Sequence, residues 1–150
     1  MKTINVLSFN TSNVNDMSSL FSECKSLISI DLSNFDTRNV ENINSIFYSC
    51  TSLISIDLSN FNTINVKNMG SMFNSCTSLK SIDLSNFNTT NVDNFKYIFW
   101  STSSLKYIDI SSFTTNLTSL PLIAGQSTYG VIKVRKEFYD KIDTKLDNWK

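Results

Sequence analysis

Apolar and polar positions along this chain recur with a period of 26 residues. Phe9, Phe35, Phe61, Phe87 and Phe113 keep that spacing, as do Val14, Val40, Val66 and Val92, and Cys24, Cys50 and Cys76. A fixed period in the twenties marks a solenoid, in which each unit hides its apolar face only by stacking on its neighbours. Two local patterns fill each period. The first is Leu27, Ile30, Leu32, repeated as Leu53, Ile56, Leu58, as Leu79, Ile82, Leu84 and as Leu105, Ile108, Ile110. Its alternation with Asp31 and Ser33 predicts half-buried strands near 28–33, 54–59, 80–85 and 106–111, with Ile30, Ile56, Ile82 and Ile108 in one buried column. Asn34, Phe35, Asp36 and Thr37 then turn the chain, since Asn and Asp side chains bond local backbone. The second pattern is Ile43, Ile46, Phe47, Cys50, at the i, i+3, i+4, i+7 spacing of one helix face. Met17, Leu20, Phe21, Cys24 and Met69, Met72, Phe73, Cys76 repeat it, and Phe95, Ile98, Phe99 follow with Thr102 in the cysteine's place. Asp16, Asn42, Asn68 and Asn94 directly precede these faces and read as N-caps.

A strand on one side and a short helix on the other predicts an α/β repeat. It is a leucine-rich-repeat solenoid of about five 26-residue coils, starting at Met1, Leu27, Leu53, Leu79 and Leu105. It has a parallel sheet on one face, short helices on the other, and a C-terminal strand-helix cap. The solenoid spans 1–117 and the cap 118–150. Pro121 and Gly125 punctuate the exit from the period. Val131–Val134 reads as a strand, and Phe138, Ile142, Leu146 and Trp149 as the stripe of a terminal helix. The chain starts in register, so the strand near Thr3–Leu7 is expected to carry an open edge. Ile4, Val6 and Phe9 are expected to be less covered than their counterparts in coil three. A bare edge templates association, so residues 1–24 are expected to be shielded by another chain or by upstream sequence.

The run L-x-x-I-D-L-S-N-F-[DN]-T-x-N-V-x-N-[IM]-x-S-[IM]-F-x-[SC]-C, over about residues 1–115, resembles the BspA-like leucine-rich repeats of bacterial surface proteins, some protist surface proteins and some phage-encoded proteins. The segment from Val131 to Trp149 resembles the strand-helix-Trp ending common after such repeats. The resemblance implies a non-catalytic adhesion or recognition module with varied partners, and it brings no catalytic residues and no fixed binding motif.

Composition narrows the chemistry. Thirteen basic and thirteen acidic residues cancel, which leaves no electrostatic footprint for nucleic acid. No apolar run approaches the length of a membrane span, and no secretory apolar region follows Met1-Lys2. The resemblance to surface and phage-encoded proteins implies a location at a cell surface or outside the cell as part of a longer chain, or in a virion. There is no histidine, which removes the commonest general base. The three cysteines share one repeat position and read as reduced, buried thiols rather than metal ligands. No cofactor is expected.

Asp31, Asp57, Asp83 and Asp109 form a column on the strand face, with Asn5 at the same place in the first coil. Carboxylates ~4.8 Å apart repel by about 0.9 kcal/mol in water, so the column needs compensation. Bonds to neighbouring Ser and backbone groups would supply it. The other reading is an acidic strip for a cationic partner or Ca2+, although a line of Asp does not surround one point as Ca2+ requires. An aspartate-only glycosidase would need one tuned pair, and the same Asp recurs in every copy. Lys80, Lys106 and Tyr107 break the uniformity set by Ile28, Ile54, Ser29, Ser55 and Ser81. Specificity would be written at such positions, and random drift on a solvated face predicts the same variation. The expected function is non-enzymatic recognition or adhesion, binding a protein or glycan through this face. The alternative is a structural component of a larger assembly, such as a phage virion or tail part, or a terminal fragment of a long surface protein.

Overall fold

The computed structural model describes residues 3–114 and 130–136. They form a stack of coils whose backbones join one period apart. Three short parallel strands, β1 (Ser81–Asp83), β2 (Tyr107–Asp109) and β3 (Val131–Lys133), pair in the order β1-β2-β3. Ile82, Ile108 and Ile132 lie side by side in that register. Across the coil, parallel bridges join Asp16 to Asn42, Asn42 to Asn68 and Asn68 to Asn94.

The expected strands are only partly formed. Near residues 28–33 and 54–59 Ile54 N–H bonds Ile28 C=O at 3.2 Å, but no strand results, and Ser33 and Ser59 already lie in turns. Accordingly Ile30 and Ile56 are half-buried, whereas Ile82 and Ile108 are fully enclosed. The column of isoleucines is therefore buried only where the ladder closes.

The helices are the larger correction. The described residues contain no α-helix, and 43–50 and its equivalents are successive tight turns. Ile46 N–H bonds Ile43 C=O, Tyr48 bonds Ser45 and Cys50 bonds Phe47, at 3.0–3.3 Å. The intervening N–H groups leave the coil: Ile43, Ser45, Phe47 and Ser49 donate to Asn68, Gly70, Met72 and Asn74 C=O at 2.8–3.1 Å. Every second peptide thus points along the solenoid axis, and the backbone groups are satisfied without a helix. Left-handed serines permit this: Ser45, Ser49, Ser71 and Ser75 have φ of 54–62°. Spacing gives the reason. Packed helices sit 8–10 Å apart, while paired backbones sit ~4.8 Å apart, so turns let both faces of the coil keep the strand spacing. Most apolar i, i+3, i+4, i+7 positions still face inward, because a run of i→i+3 turns has nearly the same side-chain period; Leu20 is exposed, and Cys24 and Phe95 are half-buried. The Asp16, Asn42, Asn68 and Asn94 side chains accept from the N–H two residues on, at 2.7–3.1 Å, as a cap would, but no helix follows.

Phe21, Phe47, Phe73 and Phe99 stack at the centre, with centroids 5.5–5.7 Å apart and planes within 10°. In the other column Phe35, Phe61, Phe87 and Phe113 are buried but Phe9 is 50% exposed. Of the first coil's expected open positions, Phe9 is uncovered, but Val6 is as buried as Leu58 and Ile4 is half-buried like Ile56. Asn34 donates to the carbonyls of Val6, Leu7 and Phe9, which ties the first coil down. The expected helix stripe Phe138–Trp149 lies outside the described residues, as does most of the cap; of the cap, β3 is described.

Candidate functional site

The strand face is built from repeated Asx turns. Asp31, Asp57, Asp83 and Asp109 each accept the N–H of the serine two residues on, at 2.9–3.0 Å. The Ser33 hydroxyl and N–H hold the Asp31 carboxyl below its ordinary range, and the Ser59 N–H and hydroxyl do the same for Asp57. These bonds spread the negative charge into the backbone, which is the compensation the column needs.

Asp31, Asp57 and Asp83 remain exposed, whereas Asp109 is buried. Lys133 Nζ sits 2.8 Å from Asp109 Oδ2, Ser111 Oγ donates to Oδ1 at 2.6 Å, and Tyr107 Oη donates to Oδ2 at 3.3 Å. Burial pushes the Asp109 pKa up, but the ammonium of Lys133 and the donors of Ser111 outweigh it and leave the pKa lowered. Partial desolvation and the Asp109 charge push the Tyr107 phenol up. Asp109 is thus an internal strut, not a free ligand group. The structure brings Tyr107 and Asp109 together and leaves Asp31, Asp57, Lys80 and Lys106 strung along the face. The Lys80 and Lys106 side chains are exposed, while their backbones extend the ladder, Lys106 N–H to Lys80 C=O at 2.9 Å.

Sequence reasoning missed two features, one on this face and one beside it. Lys133 stands 24 residues from Asp109, off the period, so no spacing signal marks it. The serines Ser26, Ser52, Ser78 and Ser104 do keep the period and could have been found. With Ile28, Ile54 and Lys80 they line an open groove of about 510 Å³ that runs across the coils. Among the described residues no group of three or more His, Cys, Asp or Glu is placed to hold a metal ion, and no helix is long and apolar enough to cross a membrane.

The chain matches a family model described as "Mycoplasma protein of unknown function, DUF285" over residues 2–56 and again over 28–121. The overlap of the two matches follows from the repeat. Among solved structures, the crystal structure of a leucine-rich repeat protein of T. pallidum, TpLRR, is similar at 15% identity and a TM-score of 0.49. The similarity covers 89% of this chain and 72% of that one. The comparison with curated proteins gave no match.

Proposed function

The chain belongs to the DUF285 family, and from that premise we propose that it is a non-enzymatic recognition module that binds a protein or glycan through its strand face. The observation that supports this reading most is the groove. It crosses successive coils, its serine column is constant, and the residues beside it change from Ile28 and Ile54 to Lys80. A uniform hydroxyl rail with a variable neighbour gives one backbone many surfaces. The BspA-like character of the repeat motif fits the same reading, as does a location at a cell surface within a longer chain.

The test is to probe the 150-residue chain against arrayed soluble proteins and oligosaccharides, beside the double variant Ile54→Asp, Lys80→Glu. The variant is expected to lose at least tenfold in affinity for whatever the wild type captures, with no change in melting temperature, since both side chains are exposed. A variant that retains every interaction removes the strand face from the reading.

A second reading, a structural part of a larger assembly, is favoured by the first coil, where Leu7, Phe9 and Leu20 are exposed apolar side chains. Exposed apolar groups of this kind mark contact surfaces. Light scattering over a concentration series, with Phe9→Lys at an exposed position as control, separates it from the first. A stable monomer at high concentration, with the control indistinguishable, removes this second reading.

A further inference from the structure

The face opposite the strands carries its own pattern. The residues corresponding to Tyr97 in the other coils are Ser19, Ser45 and Ser71, and all four are left-handed, with φ of 54–60°. Serine tolerates that conformation better than a bulky ring, so Tyr97 places an aromatic side chain on strained backbone. The ring is 48% exposed and supplies little to the core. The conformation itself belongs to the turns of every coil, Glu23 included, so what is particular to this coil is the exposed ring carried on it. Trp100, 41% exposed, meets it edge-on at a centroid distance of 5.8 Å and 82°. Tyr48, Asn74 and Trp100 occupy one column, because the carbonyls of all three accept equivalent ladder bonds, from Glu23, Ser49 and Ser75. Tyr48 and Trp100 are therefore two coil steps apart, roughly 9.6 Å, with an amide between them. This is comparable to the length of a disaccharide unit.

The charge of this face selects the partner. Residues 42–52 and 68–78 carry no charged side chain, 94–102 carry only Lys96, and 16–26 carry Asp16 and the ion pair of Glu23 and Lys25. Anionic polymers and lipid headgroups are held by clustered Lys and Arg, which this face lacks. Its surface is instead hydroxyl, amide and aromatic. A neutral sugar chain presents the matching chemistry, with C–H faces that stack on aromatic rings and hydroxyl edges that bond amides and serines.

We infer that Tyr48, Asn74, Tyr97 and Trp100 form a binding platform for a neutral oligosaccharide on the turn face, separate from the strand-face site. The rings supply stacking and Asn74 supplies hydrogen bonding between them. The proposal stands on residues other than those of the strand face, so it holds or fails independently of the function proposed above.

The experiment is calorimetric titration of the full chain with cellohexaose, chitohexaose and laminarihexaose. Variants Tyr97→Ser, Trp100→Asn and Tyr48→Ser each install the residue that another coil carries at the same place, so the backbone already accommodates them. At least one hexasaccharide is expected to bind with Kd below about 1 mM. Each variant is expected to weaken binding tenfold or more, and Lys80→Glu to leave it unchanged. The proposal is overturned if no hexasaccharide binds, if Tyr97→Ser and Tyr48→Ser bind as the wild type does, or if Lys80→Glu abolishes binding, which would move the sugar to the strand face. Binding of heparin but none of the neutral sugars also overturns it.

Discussion

Cys50 and Cys76 are made inert by their position in the stack. Each thiol donates to a carbonyl one coil back, Phe21 and Phe47, at 3.0 Å, and burial pushes both pKa values from 9.0 up to about 12. Cys24, expected to be equally buried, is only half-buried. Thiol labelling of the native chain is therefore expected to modify Cys24 first and to reach Cys50 and Cys76 only on unfolding, as read by mass spectrometry. The thiolate is the reactive form, and burial suppresses it. The pH dependence follows. The folded state keeps the two protons that the unfolded state releases near its ordinary value. This contribution to stability is fully present below pH 9.0 and is lost as pH rises from there to about 12. Denaturant midpoints across that window are expected to fall more steeply for the wild type than for Cys50→Ala, Cys76→Ala; equal slopes would contradict the cause given. The left-handed serines make a second residue-scale case. Ser45→Gly removes a backbone penalty of about 1–2 kcal/mol and adds unfolded-state entropy worth about 0.5–1 kcal/mol. A net stabilisation of about 0.5–1 kcal/mol is expected from urea melts, and Ser45→Val is expected to destabilise.

From one coil to the next, hydroxyls and amides do the work that helices were expected to do. Thr37 Oγ1 donates to Asn62 C=O at 3.0 Å and accepts Asn62 N–H at 2.8 Å, closing a buried two-way bridge to the next coil. Thr37→Val preserves shape and strands both backbone groups, a loss of about 2–4 kcal/mol. Thr37→Ser is expected to keep most of the stability, and a Val variant as stable as the wild type would show the bridge to be idle. Asn60 similarly spans the carbonyls of Leu32, Ser33 and Phe35. How far these elements were legible differs by kind. The period and most of the inward residues could be read, because each depends on which side chains are apolar. The expected turn at Asn34–Thr37 is instead two turns, closed by Phe35 N–H on Leu32 C=O and by Val40 N–H on Thr37 C=O, because the Asn34 and Thr37 side chains bond neighbouring coils. The helix could not be told from a run of turns, since Ile43, Ile46, Phe47 and Cys50 face inward in both. What separates the two is φ at Ser45 and Ser49, and serine carries almost no signal for a left-handed backbone. At the strand face the Asx bonds of the aspartates could be anticipated from the Asp-x-Ser spacing. The Asp109–Lys133 pair could not, because Lys133 is brought to it by a stretch with no period.

Among the described residues, the bonds that are not local turns join a coil to its immediate neighbour, which makes stability close to a sum of coil and nearest-neighbour terms. This has a direct consequence for removing one unit. Deleting Leu53–Ser78 takes out one full period and joins Ser52 to Leu79. Ile43 N–H then meets Asn94 C=O in place of Asn68, Phe47 stacks on Phe99 in place of Phe73, and Asn86 takes over the carbonyls that Asn60 held. One mismatch results. Glu41, paired with Lys67 at 2.6 Å, would face Asp93 instead, and both carboxylates are exposed, so the cost is at most about 1 kcal/mol. The shortened chain is expected to fold cooperatively, with a lower melting midpoint and a denaturant m-value reduced in proportion to the lost surface. Adding Asp93→Lys to the deletion is expected to recover part of the midpoint by restoring an opposite charge beside Glu41. Deleting Leu53–Cys76 instead leaves the coils two residues out of step, so the Asn, Thr and Phe columns all miss their partners, and no cooperative transition is expected. Circular dichroism melts of the three chains decide the matter. If both deletions melt alike, coil register is not what holds this fold together, and the nearest-neighbour account of its stability is wrong.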